Sequence, residues 1–329
     1  MPFLGKERMM HLRGTDFGYV MNASGARNFF GQGYWFHPWL RPIGLDYTGS
    51  TFVAKTTTLF PQAGNMPLTS ISLQPIELMP KCIKVNLPRG AVLNAVGLSG
   101  PGAAALLWRE EWQKRIDPFF ISFAAVKETI PERLKEWEHF TLLLLTYLSS
   151  FHARIGLEMN FSCPNTGIVK KPFVDEILAA LDICSVLNIP LVPKLNVLIP
   201  APIGVQIAEH LACDAICQSN TIFWNLLPDA VKKKFFGRLE SPLKKYGGGG
   251  LSGPYLFPLV LAWIREARAL GLKKPIIGCG GIMSVVRADM MICAGANAIQ
   301  IGSVSITRPW RVKSIIKCVN QYRPTKQRT

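Results

Sequence analysis

Nowhere in the 329 residues does an uninterrupted apolar stretch reach the roughly 18 to 20 residues a membrane-spanning helix needs. The greasiest run, "FTLLLLTYLSS" (140–150), is too short to span and reads as a buried helix. The opening "MPFLGKERMMHLRG" lacks the apolar h-region of a secretory signal. These two absences make the cytoplasm the expected compartment. CxxC pairs are also missing: the eight cysteines (82, 163, 184, 213, 217, 279, 293, 318) are scattered, and most sit in apolar runs where a free thiol packs as a small hydrophobe. A disulfide framework, a zinc site and an iron–sulfur cluster are therefore poor readings, and no metal is expected. No GxGxxG follows the first strand, which argues against a Rossmann domain. Acidic residues are scarce, 21 against 37 Lys and Arg, for a formal net charge of +16. Part of that excess is local, in "VKKKFFGR" (231–238), "LKKY" (243–246) and the tail "YRPTKQRT" (322–329). It reads as a solvated basic face or as affinity for nucleic acid, an anionic membrane surface or small anions.

What is present is a βα period. Short β-branched or apolar runs recur at 18–24, 51–58, 118–126, 155–162, 190–197, 214–221, 275–281 and 297–304. Most are continuously apolar rather than alternating, as parallel strands covered on both faces should be. Helical patterns lie at 100–116, 130–150, 172–188, 254–271, 284–295 and 308–322, the fourth ending at Gly271 as a C-cap. Eight alternations predict an α/β fold of the (β/α)8 TIM-barrel type, a single domain over 1–329. Two segments are too long for βα loops: 60–100, with five prolines, and 222–250, ending in "YGGGG". They are expected to add small antiparallel strands as lids over the C-terminal mouth. The aromatic stretch 28–49 reads as core packing or a dimer face, with acceptor or membrane-surface contact as the functional alternative.

In such barrels the site is built at the C-terminal strand ends. Those ends read "NAS" (22–24), "AKTT" (54–57), "NFSCPN" (160–165), "PKLN" (193–196), "QSNT" (218–221), "GCGG" (278–281) and "QIGS" (300–303). Lys55 and Lys194 interrupt buried strands, where a charge is costly without a partner. Glycines ending strands seven and eight let backbone N–H groups approach an anion, at the usual barrel phosphate position. A phosphorylated cofactor across the mouth is the expectation.

The motifs "MNASG", "FVAKTTTL", "LNAVGL", "NFSCPNTG", "PKLN", "QSNT", "GGLSGP", "IIGCGGI" and "IQIGS" resemble, in order, those of the dihydroorotate dehydrogenases over about residues 18–307. The resemblance implies an FMN-containing (β/α)8 barrel that oxidises dihydroorotate to orotate in pyrimidine biosynthesis. It implies a general base at Cys163, the position where class 1 enzymes keep a cysteine and membrane-bound class 2 enzymes a serine, with Lys55 beside it. The base would take the C5 proton while C6 passes a hydride to flavin N5. A thiol can do so if its pKa is brought near the working pH. It implies a substrate pocket of Lys55, Asn94, Asn160, Asn165, Asn220 and Thr221 with the backbone of Gly97 and Leu98. Carboxamides suit the alternating N–H and C=O edge of a pyrimidine. FMN would be held by Ala23, Ser24, Gly25, Lys55, Thr56, Asn160, Ser252, Gly253, Gly280, Gly281, Gly302 and Ser303. Lys194 would stand at the N1–C2=O edge. A homodimer is expected. The absence of a long N-terminal extension argues against a class 2 quinone tunnel. The acceptor stays open between fumarate, NAD through a partner subunit, and a quinone. The lid 60–90 and the loop "GIVKK" (167–171) match no family signature. Alternatives are a tRNA dihydrouridine synthase, which the basic charge favours, a dihydropyrimidine-type reductase, or a non-catalytic flavin-binding barrel.

Overall fold

The computed structural model describes residues 10–161 and 171–321. Eight parallel strands form its centre: β1 (Val20–Asn22), β2 (Phe52–Val53), β3 (Phe119–Phe123), β4 (Ile155–Asn160), β5 (Leu191–Asn196), β6 (Ile216–Asn220), β7 (Ile276–Cys279) and β8 (Ala298–Ile301). They hydrogen-bond in the order β1-β8-β7-β6-β5-β4-β3-β2. A single parallel bridge, Met21 to Thr51, brings β2 back to β1 and closes the ring. Each strand lies within a segment expected from the sequence. Their residues are almost all buried, as the unalternating apolar pattern requires of a sheet covered on both faces.

The apolar residues divide into two sets. Outward-facing strand residues such as Leu157 and Ile299 share one cluster with helix residues such as Leu181 and Ile264. Those facing inward fill the barrel with Phe17, Met21, Val53, Phe120, Val192 and Ile277. Phe17 belongs to an N-terminal hairpin, His11–Leu12 with Thr15–Asp16, that sequence reading did not anticipate. Its ring lies 4.4 Å from that of Phe120. Arg13 at the hairpin turn ion-pairs with Asp214 at 3.0 Å. Asp214 precedes β6, so the hairpin stoppers the N-terminal end of the barrel and leaves the other end for chemistry.

Helices follow the sequence pattern at Ile130–Tyr147, Lys171–Ser185, Leu256–Ala269, Val285–Cys293 and Val312–Asn320. The pattern over 100–116 shortens to a helix at Ala103–Trp108 followed by turns. The helices Asp229–Phe236, within the second insertion, and Ser303–Thr307 escaped the sequence reading, and so did Ala201–Glu209. Its prolines and Gly204 read as breakers, yet proline suits the first helical turn. Gly204 is needed because a Cβ there would meet Trp263 Cζ2 at 2.2 Å. Between β1 and β2 there is only the short helix His37–Leu40 among turns.

The two long insertions meet. Ile83–Asn86 and Ala91–Asn94 from the first, with Ile222–Phe223 and Gly250–Ser252 from the second, form one antiparallel sheet. Asn94 and Leu93 pair with Gly250 and Leu251. This sheet stands over the C-terminal mouth. No helix among the described residues is long and apolar enough to cross a membrane.

Candidate functional site

A cavity of about 660 Å³ occupies the C-terminal mouth, between the strand ends and the lid sheet. Its walls include Ala23, Ser24 and Gly25 after β1, Lys55 and Thr56 after β2, and Asn160 and Lys194 on β4 and β5. Asn220 and Thr221 come from the end of β6, Gly280 and Gly281 follow β7, and Gly302 and Ser303 follow β8. The lid contributes Asn94, Gly97, Leu98 and Ser252. Gly253 is not on the wall; its carbonyl lies behind Gly281. Cys163 and Asn165 lie outside the described residues.

A directed hydrogen-bond chain runs across the floor. Asn220 Nδ2 donates to Asn160 Oδ1 at 2.6 Å, and Asn160 Nδ2 donates to Thr56 Oγ1 at 3.0 Å. Thr56 and Ser122 share a hydroxyl contact of 2.9 Å, and Ser122 donates to Glu158 Oε1 at 3.0 Å. Ser24 Oγ, which donates to the Ala54 carbonyl at 2.9 Å, also meets Thr56 Oγ1 at 2.8 Å, so with Ser122 committed to the carboxylate the single Thr56 hydrogen serves either Ser24 or Ser122. The donors of Asn220, Asn160 and Ser122 all point along the chain towards Glu158. On its other side the carboxylate receives Gln300 Nε2 at 2.5 Å and Lys194 Nζ at 3.3 Å. Lys194 also donates to Gln300 Oε1 at 3.0 Å.

The two cavity lysines differ in partners. Lys194 is 5 % exposed and Lys55 6 %. Burial alone would push Lys194 down, but the Glu158 carboxylate beside it holds it above the ordinary lysine range. Lys55 has no carboxylate partner among the described residues. It donates to the Ser99 carbonyl and stands 4.5 Å over the Phe29 ring. Burial lowers it to about 7.

The strand-end glycines form a bare backbone cradle. Gly281 has φ +64°, and a Cβ there would sit 2.6 Å from the Gly253 carbonyl. At Gly302 a Cβ would press on Ala23 Cβ at 3.0 Å. With no side chains in the way, main-chain groups of both loops face the cavity next to Ser303. A phosphate fits such a place. The volume is that of a cofactor-sized site. The donor set fits an FMN: glycine backbone and Ser303 for the phosphate, and the Lys194 ammonium for a site of developing negative charge.

Sequence reading missed several participants. Glu158, Ser122 and Gln300 lie inside strands and looked like interruptions of apolar runs; an acid in an apolar run two residues before a strand-end motif was the available signal. From the aromatic stretch, Phe29, Phe30 and Tyr47 are core, whereas Tyr34, Trp35, Phe36 and His37 line the cavity. Tyr34 donates its hydroxyl to the Gly25 carbonyl at 2.6 Å, fixing that loop. Burial and the neighbouring Arg27 lower His37 to about 4, keeping it neutral.

Comparison with known proteins agrees with this geometry. The family model described as dihydroorotate dehydrogenase matches residues 20–322. A relative from Endomicrobium trichonymphae named "Dihydroorotate dehydrogenase B (NAD(+)), catalytic subunit" is 30 % identical over 304 residues, 90 % of this chain and 85 % of its own length. One of the same name from Streptococcus pneumoniae serotype 4 is 28 % identical over 309 residues, 91 % of this chain and 86 % of its own. A crystal structure of DHODH from Eimeria tenella, in complex with ferulenol, superposes with a TM-score of 0.64 at 17 % identity, over 96 % of this chain and 87 % of that one, and bears on the fold alone. The barrel, its mouth and the match over nearly the whole chain place this protein in the dihydroorotate dehydrogenase family.

Proposed function

We propose that the chain is a class 1-like dihydroorotate dehydrogenase, oxidising dihydroorotate to orotate for pyrimidine biosynthesis with FMN as cofactor. The carrying observation is Lys55: a buried ammonium without a carboxylate partner among the described residues, in one cavity with the carboxamides of Asn94, Asn160 and Asn220. An anionic ligand supplies the missing counter-charge, and the carboxylate of dihydroorotate is such an anion. Asn94, Asn160 and Asn220 offer donors and acceptors to its ring amides. The chain from Asn220 to Glu158 fixes which face of each carboxamide is free. Gly280, Gly281, Gly302 and Ser303 would hold the FMN phosphate, and Ala23, Ser24 and Gly25 its sugar side. Bound FMN supplies the two-electron acceptor that takes the hydride from C6. Cys163 is proposed as the base that takes the C5 proton. The lid sheet covers the mouth, and a lower dielectric beneath it would strengthen each of these electrostatic contacts.

The purified protein should be yellow, and anaerobic dihydroorotate should bleach it. Bleaching by dihydrouracil or dihydrouridine-containing tRNA, with dihydroorotate inert, overturns the reading. Cys163→Ala should keep FMN and slow its reduction by on the order of 10²-fold or more, the usual weight of a general base. We further infer that the chain works with a partner subunit passing electrons to NAD, since the relatives carry the words "catalytic subunit" and "NAD(+)" in their names. Turnover with fumarate by the chain alone, and none with NAD when a partner is supplied, would remove this second inference.

A further inference from the structure

Glu158 is 1 % exposed and is the hub of the buried polar groups inside the barrel. It joins two ends of the cavity that the proposed chemistry uses differently. Towards one end it holds Lys194, at 3.3 Å, and Gln300, at 2.5 Å. Towards the other it accepts from Ser122, whose hydroxyl meets that of Thr56, which accepts from Asn160. The groups facing Lys194 from the packed strands are Glu158 on β4, Cys217 on β6, Cys279 on β7 and Gln300 on β8. Burial keeps the Cys217 thiol well above its ordinary range. Among these groups Glu158 is the carboxylate.

We propose that Glu158 is a positioning residue that fixes the Lys194 ammonium on one side and, through Ser122 and Thr56, orients the Asn160–Asn220 carboxamides on the other, so that the cofactor and substrate ends of the cavity are tied through one carboxylate. The statement about Lys194 follows from the side-chain geometry alone. The statement about cofactor and substrate rests on the FMN and dihydroorotate reading above.

The geometry explains why a carboxylate is needed. A buried ammonium beside a neutral group has lost its compensating charge and is driven to deprotonate. A neutral amide at 158 has a single acceptor oxygen, so it can serve Ser122 and Lys194 or Gln300 but not both sides as the carboxylate does, and its amino group meets a donor on the other side.

The first test uses cofactor-free protein with 13C-labelled lysine side chains in a Lys55→Met background, which removes the cavity lysine that burial lowers to about 7. The parent should show no lysine titrating below about pH 9, the lower flank of the ordinary lysine range. Adding Glu158→Gln should bring one lysine down into the neutral range, and Glu158→Asp should restore the parent pattern. If no lysine moves in Glu158→Gln, the tie to Lys194 is disproved.

The second test uses FMN-loaded protein and reads the ratio of reduced to oxidised FMN affinity. At pH 6 Glu158→Gln, with Lys194 still charged, should favour reduced FMN by about tenfold over wild type, about 30 mV for a two-electron couple. The difference should fade as Lys194 loses its proton at higher pH. A pH-independent difference contradicts the assignment. Ser122→Ala keeps the ion pair, so it carries the test if Glu158→Gln does not fold. It should weaken orotate binding by about threefold or more, the worth of one hydrogen bond, and FMN binding by less. Unchanged orotate binding, or equal weakening of both ligands, breaks the tie to the carboxamides. Protein that binds no FMN but shows the lysine shift retains the Glu158–Lys194 assignment while the functional reading fails. Protein that dihydroorotate bleaches, with no lysine shift, gives the converse.

Discussion

Two buried lysines face one cavity, and they teach opposite lessons. Lys194 is set on β5 against a carboxylate and a carboxamide, so its charge is satisfied before any ligand arrives. Lys55, after β2, has a carbonyl and an aromatic face and no carboxylate among the described residues. The same side chain at nearly the same exposure is held charged in one place and lowered to about 7 in the other. A buried cation with a built-in counter-ion is a fixed electrostatic element. One without it responds to what binds, and to pH.

The largest effect should come from breaking the satisfied pair. Glu158→Ala leaves Lys194 buried and unpaired, and should cost about 3–5 kcal/mol in denaturant unfolding at neutral pH. A loss below about 1 kcal/mol would mean that the ammonium escapes to water, which its 5 % exposure argues against. Lys55 should behave the other way. Its folded pKa is depressed from 10.5 to about 7, so between those values the unfolded chain binds a proton that the folded chain refuses. Stability should therefore rise with pH across that window and be lowest, and flat in this contribution, below it. Lys55→Met should abolish that slope; the same slope in both proteins would show that Lys55 is not its source. The smallest effect should come from the link between the two corners. Asn220→Ala removes the 2.6 Å bond to Asn160 at a half-exposed site, and should cost about 1 kcal/mol or less. Any binding defect of this variant should be larger for the pyrimidine than for FMN.

The closed and open ends of the barrel differ in how readable they were. The mouth announced itself, because Asn, Lys, Ser and Gly at strand ends break apolar runs in a way packing does not require. The stopper at the other end did not. His11–Leu12 and Thr15–Asp16 are two-residue strands with no periodicity to detect, and only the three-dimensional fit of Phe17 against Phe120 explains them. The helix Ala201–Glu209 was hidden for a related reason. Gly204 looks like a breaker locally and is demanded by Trp263, 59 positions away in the chain, which packs where a Cβ would stand. Glu158 was hidden within β4, since a single acid in an apolar run carries no pattern of its own.

The sequence by itself determined the eightfold βα period, the strand ends and the two insertions, because side-chain hydrophobicity and turn chemistry are local properties. It also carried nine ordered motifs, enough to point to the family. Only the tertiary structure decided that the two insertions share one sheet, that Tyr34 braces the Gly25 loop, and that Lys194 rather than Lys55 has a carboxylate. Those outcomes depend on which residues, far apart in the chain, come within about 3 Å of one another, the range over which hydrogen bonds form and buried charges are satisfied.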